Sequence, residues 1–144
     1  MPWKTTLQRA KKDKAEGKAT STQAGEFVRE EMEHIKRGKH GARSNKQAIA
    51  IGLSKARRAG VDLKPPKKGR ASEKARKSAE RDYDKGRSGK KQTSSTRSRA
   101  RLKALKREPR STASHRALSR QAKSAARRRK RLGPATSGTR KNAA

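Results

Sequence analysis

Glu31-x-x-His34 places a carboxylate and an imidazole three residues apart, a spacing at which two side chains on one helix face can share a metal ion. Metal chemistry of that kind calls for a second such pair, or for further carboxylates on facing helices, and none is evident. His40 follows across Gly38, but the chain has no cysteine and offers no further evident ligand, so no metal site is expected. Glu31 and His34 therefore read as a solvated helix face. Gly86-Arg87-Ser88-Gly89-Lys90-Lys91 resembles a phosphate loop, yet that motif needs four residues between its glycines and a Ser or Thr after its Lys, and here there are two residues and another Lys. The segment reads as a flexible basic linker. No cofactor, no small-molecule substrate and no enzymatic activity are expected.

The chemistry present in quantity is cationic. Lys and Arg number 44 against 12 Asp and Glu, a formal charge of +32 on 144 residues. Such a chain repels itself unless polyanions surround it, so a polyanion is its natural partner. The charge is also uneven, because Glu108 is the only acid from Lys85 to the C-terminus. Arg116, Arg120, Lys123, Arg127 and Lys130 or Arg131 recur at spacings of three and four, which lines them up on one helix face, and Arg128 and Arg129 complete a continuous basic run. Arg99, Lys103 and Lys106 repeat the pattern on a shorter segment, where Arg110 lies past Pro109 and can drop out. Arg43 and Lys46 flank the start of another helix. These are the candidate phosphate contacts, since the Arg fork matches phosphate oxygens.

Reading of bases is a separate matter. Ser44, Asn45, Lys46 and Gln47 could meet base edges at a helix N-terminus, but a helix-turn-helix needs a tighter turn and a supporting third helix, and neither is evident. Trp3, Phe27 and Tyr83 are not interleaved with basic residues, as a stacking platform for single strands would require.

The expected fold class is all-α where ordered: a short helical hairpin at about 22–63, flanked by largely disordered, basic, weakly helical tails. With 27% hydrophobic residues and a mean hydropathy of −1.38, the chain lacks the apolar surface to offset the ordering entropy of its whole length. Residues 1–21 read as a basic arm and 64–144 as a Lys/Arg-rich low-complexity tail with marginal helices at about 72–85, 96–108 and 114–132. Folding of that tail is expected on binding, when phosphates screen its like charges. Residues after Pro134 read as a frayed end.

In the hairpin, a first helix starts near Thr22 or Gln23 and stops before Gly38. Ala24, Val28, Met32 and Ile35 share one face, with Phe27 at its edge, and Glu33 is spaced for ion pairs with Arg29 and Arg37. Ser44 and Gln47 match a reciprocal capping box, and Gly60 followed by Val61 suits a Schellman stop before Pro65-Pro66. Ile49, Leu53 and Ala56 form one stripe, while Ile51 points to the opposite side. That second apolar face predicts a second partner for the helix, and self-association through Ile51 is one way to supply it.

The run from Lys36 to Ala56, with Gly38-Lys39-His40-Gly41 and then Arg43-Ser44-Asn45-Lys46-Gln47-Ala48-Ile49-Ala50-Ile51-Gly52-Leu53-Ser54-Lys55-Ala56, resembles a family of small, basic, uncharacterised bacterial proteins whose shared core has the form G-K-x-H-G then R-S-x-K-Q-A-I-A-I-x-L-S-x-A. The likeness covers roughly residues 26–61; it implies a bacterial origin and brings no established activity. The tail is similar to linker-histone tails in composition only, without their Lys-Pro-Ala-Lys repeats. The expected function is non-sequence-specific DNA binding, with compaction as a consequence, in a histone-like or nucleoid-associated protein of the cytoplasm. RNA or ribosome association is the alternative that the same charges serve. A cationic membrane-surface binder is a third, opposed by an apolar helix face made mainly of Ala. No apolar run has the length of a membrane span.

Overall fold

Residues 2–89 and 94–133 are described by the structure, a computed structural model. Within them lie α1 (Lys4–Ala15), α2 (Thr20–Lys36), α3 (Asn45–Arg58), α4 (Glu73–Ser88), α5 (Ser95–Lys106), a 3-10 turn (Ser111–Ala113) and α6 (His115–Leu132). A short hairpin between disordered tails is therefore not what forms: helix accounts for 72% of the described residues. That expectation weighed overall apolar fraction and mean hydropathy, not where the small apolar residues fall. Most of the buried hydrophobic positions are Ala, namely Ala10, Ala24, Ala42, Ala48, Ala56, Ala79 and Ala113. Helices that meet through Ala and Gly approach closely and gain packing that hydropathy does not register.

The hairpin helices form for the local reasons given above. α2 ends at Lys36, Gly38 takes a φ of +73°, and Lys39 N–H returns to the His34 carbonyl at 2.9 Å. At the start of α3 the Ser44 hydroxyl accepts from Gln47 N–H, but the Gln47 side chain accepts from Arg43 N–H at 2.7 Å, one residue earlier than a reciprocal box would place it. α3 stops at Gly60, where Val61 N–H reaches the Ala56 carbonyl at 3.1 Å. The two helices cross at Gly52, where a Cβ would stand 2.6 Å from the Val28 Cα. Glu33 pairs with Lys36 and Arg37 at 3.9 and 3.8 Å, exposed contacts of small energetic weight.

The segment read as an N-terminal arm carries α1, whose buried Thr6, Ala10 and Asp13 face inward beside Leu7. It covers Phe27, which is 1% exposed and central to one core with Ala24, Ala56, Leu53, Val61 and Leu63 rather than at an edge. A second core joins Met32, Ile35, Ala42, Ala48 and Ala113, with Val28, Ile49 and Leu118 packed against it. α4 lies on α3. Asp82, which a helix-dipole argument makes unfavourable, is buried there and accepts from Ser54 Oγ at 2.6 Å and Arg58 Nε at 2.7 Å. Gly86, expected in a linker, lies inside α4 where a Cβ would meet the Arg57 carbonyl oxygen at 1.9 Å. Lys90–Thr93 of that expected linker, and the frayed end after Gly133, lie outside the described residues.

α3 thus has its second partner within its own chain. Ile51 is half-buried and precedes Ser54 and Arg58, both bonded to Asp82 of α4, by three and seven residues. Among the described residues no helix is long and apolar enough to cross a membrane.

Candidate functional site

The basic residues singled out above all stand exposed: Arg43, Lys46, Arg99, Lys103, Lys106, Arg116, Arg120, Lys123 and the run from Arg127 to Arg131. Three anchors place them. Gly41 N–H donates to the Leu105 carbonyl at 2.8 Å and Ala42 N–H to the Pro109 carbonyl at 3.0 Å, which holds the end of α5 against the α2–α3 loop. Only glycine fits there, because a Cβ on residue 41 would lie 1.9 Å from the Glu108 carbonyl oxygen. Arg110, the residue expected to drop out of the α5 row, does so by capping α2: its guanidinium donates to the Lys36 carbonyl at 2.9 Å and the Ile35 carbonyl at 3.4 Å. The 3-10 turn then buries Ala113, Asn45 Nδ2 donates to the Thr112 carbonyl, and the Ser114 hydroxyl caps α6 by accepting from Ala117 N–H at 3.2 Å.

The outcome is a helix packed on the core at its first turns and exposed beyond them. Leu118 packs on the core, whereas no residue of α6 is fully buried and Leu132 is 46% exposed. At about 1.5 Å per residue α6 is about 27 Å long. Its eight Lys and Arg side chains meet no acid: among the described residues, no ion pair involves any cation of α5 or α6. Arg128 alone reaches back, donating to the Arg70 carbonyl at 3.2 Å. Arg43 and Lys46 lie beside the root of this helix, at the start of α3. Asn45, Ser44 and Gln47 are engaged internally, which removes the base-reading set conceived for a helix-turn-helix.

A second constellation is buried, and here the expectation of a solvated face is overturned. Glu30, Glu31 and His34 of α2 are 2%, 1% and 8% exposed, and His40 of the following loop is 7% exposed. Burial follows from the turn at Gly38, which folds His40 back on α2, from Lys55 on α3, and from Trp3 ahead of α1. His40 Nε2 lies 3.2 Å from Glu31 Oε2; His34 Nδ1 is 3.6 Å from Glu31 Oε1 and His34 Nε2 is 3.7 Å from Glu30 Oε1. Lys55 Nζ donates to Glu31 Oε1 and sits 4.0 Å from Glu30 Oε1. The Trp3 backbone N–H donates to Glu30 Oε2 at 3.1 Å, and its ring stands edge-on to His34 with centroids 4.7 Å apart, under the cations of Arg37 and Lys39.

Burial, reinforced by Lys55 and Lys39 against the pull of Glu31 and Glu30, pushes the His34 imidazole below its ordinary value of 6.5. It is neutral at pH 7. Glu30 Oε1, Glu31 Oε2 and His34 Nε2 are buried without a hydrogen-bond partner. The sequence reading saw Glu31, His34 and His40 but assigned them no common place. Nothing in the sequence links Trp3 or Lys55 to them; the i, i+1, i+4 spacing of Glu30, Glu31 and His34 is the available signal.

Residues 16–69 match a family of unknown function, DUF6496. That span holds α2, α3 and all of the buried cluster except Trp3, and it stops short of α4, α5 and α6. No curated protein and no solved structure matches the chain.

Proposed function

We propose that this protein binds duplex DNA through phosphate neutralisation, with α6 as the principal contact and α5, Arg43 and Lys46 as auxiliary ones. The observation that carries the reading is the exposed, acid-free cationic helix, packed on the core only at its root. Like charges at spacings of three and four destabilise such a helix by about 0.2–0.5 kcal/mol per pair, a cost that phosphates remove. Binding then stabilises an element already formed instead of creating one.

Duplex DNA is favoured over RNA by shape. From Arg127 to Arg131 the cations occupy consecutive positions and so point all round the helix, where they can reach phosphates on both walls of a groove. A helix about 10–12 Å across enters the major groove of B-form DNA, about 12 Å wide, but not the deep, narrow one of A-form RNA. Phosphate contacts position without reading sequence, so little preference among sequences follows. With 44 cationic side chains, one molecule can also bridge two duplexes. A membrane-surface role is disfavoured because the face of α6 opposite its stripe offers Ala122, Ala125 and Leu132 once Leu118 is spent on the core.

Competition at 150 mM salt tests the reading, with a labelled 24-base-pair duplex challenged by unlabelled duplexes of other sequence, by an RNA hairpin and by anionic vesicles. Duplexes of any sequence should displace the label at similar concentrations, well below those needed for RNA or lipid. A tenfold preference for the RNA hairpin would transfer the function to RNA.

A further inference from the structure

We propose that Glu31, His34 and His40 form a binding site for a first-row divalent transition ion, zinc in the first instance, that ties α2 to the α2–α3 loop. One donor atom from each of the three lies within 4.8 Å of the other two, and all three residues are buried. Ligands about 2.0–2.1 Å from a tetrahedral zinc stand about 3.3–3.5 Å apart. The two carboxylate oxygens of Glu31 stand near that spacing from one imidazole each, Oε2 at 3.2 Å from His40 Nε2 and Oε1 at 3.6 Å from His34 Nδ1.

The hydrogen bonding around these residues leaves acceptors for a cation. His40 Nδ1 lies 2.9 Å from the Gly41 carbonyl oxygen, which can only accept, so Nδ1 carries the proton. His40 Nε2 lies 3.2 Å from Glu31 Oε2, and that oxygen, like His34 Nε2, is buried without a hydrogen-bond partner. Buried polar atoms left unpaired are costly, and a cation bound among them would satisfy them. An imidazole oriented through its far N–H by a backbone carbonyl is also how metal-ligating histidines are held. Glu30 Oε1, buried, without a hydrogen-bond partner and 3.7 Å from His34 Nε2, is a further oxygen that can join the coordination sphere.

Charge points the same way. Glu30 and Glu31 bring two negative charges, and Lys55 brings one positive charge on a side chain 27% exposed. A divalent ion balances both carboxylates alone, which releases Lys55 to solvent. Two imidazoles with one or two carboxylates suit zinc and its neighbours rather than magnesium or calcium, which favour all-oxygen sites. The ligand loop is the one that Leu105 and Pro109 hold through Gly41 and Ala42, so metal would brace the root of α5 and α6 as well.

The test uses the full chain, stripped with a chelator and titrated with zinc chloride in a calorimeter. The expected result is one zinc per chain and a thermal midpoint about 5 °C or more higher with zinc, unchanged by magnesium. Glu31→Gln and His40→Gln should each weaken binding at least 100-fold, His115→Gln should leave it unaltered, and Lys55→Met should tighten it. Because the first two variants could fold poorly, cobalt(II) is added to the unmutated chain; intense visible d–d bands from a tetrahedral nitrogen and oxygen site are expected. Zinc binding at 1:1 that persists in a helical His40→Gln variant, or cobalt spectra that stay those of the hydrated octahedral ion, would overturn the proposal.

Discussion

Replacing either of two helical glycines by alanine should move stability in opposite directions, and the sign is set by what stands opposite each. Gly25 in α2 has nothing within 4 Å of the position a Cβ would take. Alanine there gains helix propensity and loses backbone freedom in the unfolded chain, a stabilisation of about 0.5–1 kcal/mol. Gly52 in α3 gains the same term but places its Cβ 2.6 Å from the Val28 Cα and 2.9 Å from the Val28 nitrogen. Backbone cannot rotate aside, so α2 and α3 must separate by about 1 Å to restore ordinary contact distances. That opens the core that Ile49 and Val28 close, and overpacking of this kind costs about 1–3 kcal/mol or more. The net expectation is a loss of about 1–2 kcal/mol. For a chain of this length about 3–4 °C of midpoint accompanies each kcal/mol, so Gly25→Ala should melt about 2–4 °C higher and Gly52→Ala about 3–8 °C lower. Circular dichroism at 222 nm during heating reads both. If Gly52→Ala is stabilised as much as Gly25→Ala, the close crossing of α2 and α3 is wrong.

Two further expectations probe the α4 contacts. Asp82→Ala leaves the Arg58 guanidinium and the Ser54 hydroxyl without their acceptor in a half-buried interface, and urea denaturation should register a loss of about 2–3 kcal/mol. Asp62 accepts from the Tyr83 hydroxyl at 2.5 Å, and this bond, helped by Arg87 and Lys64, holds its carboxyl below the ordinary 3.8. A depressed carboxyl stabilises the fold above its unfolded value and loses that contribution as pH falls through the folded one. Tyr83→Phe should therefore raise the Asp62 titration midpoint toward 3.8, as carboxyl carbon NMR would show; an unmoved midpoint would refute the contact.

The parts of this fold legible in the sequence were those written in local rules. Ser44 before Gln47, Gly38, and Gly60 with Val61 mark helix ends through backbone geometry, and they act wherever the rest of the chain lies. α1 was not legible because its inward face is Thr6, Leu7, Ala10 and Asp13, a mixture that periodicity cannot separate from a solvated arm. α4 reads as marginal because its segment is charged almost all round, and the placing of Asp82 becomes favourable only when Ser54 and Arg58 of another helix meet it. The same limit governs the buried cluster. Glu31 and His34 sit visibly on one helix face, but whether that face is wet depends on Trp3, Lys55 and the return of His40, contacts spread over more than fifty positions. The basic residues fared differently, since exposure is the default for Lys and Arg and needs no partner to specify it.

In the binding proposed above, exposed cations of α6 displace the counterions of a polyphosphate. The direct measurement is the salt dependence of affinity for a duplex between 50 and 200 mM potassium chloride, for the unmutated chain and for a variant with Gln at positions 127 to 131. If the eight cations of α6 each neutralise a phosphate, the log–log slope is about −7 and affinity falls about 10⁴-fold over that range. Removing five should flatten the slope by about 4.5. Equal slopes for the two proteins, with undiminished affinity in the variant, would contradict the claim.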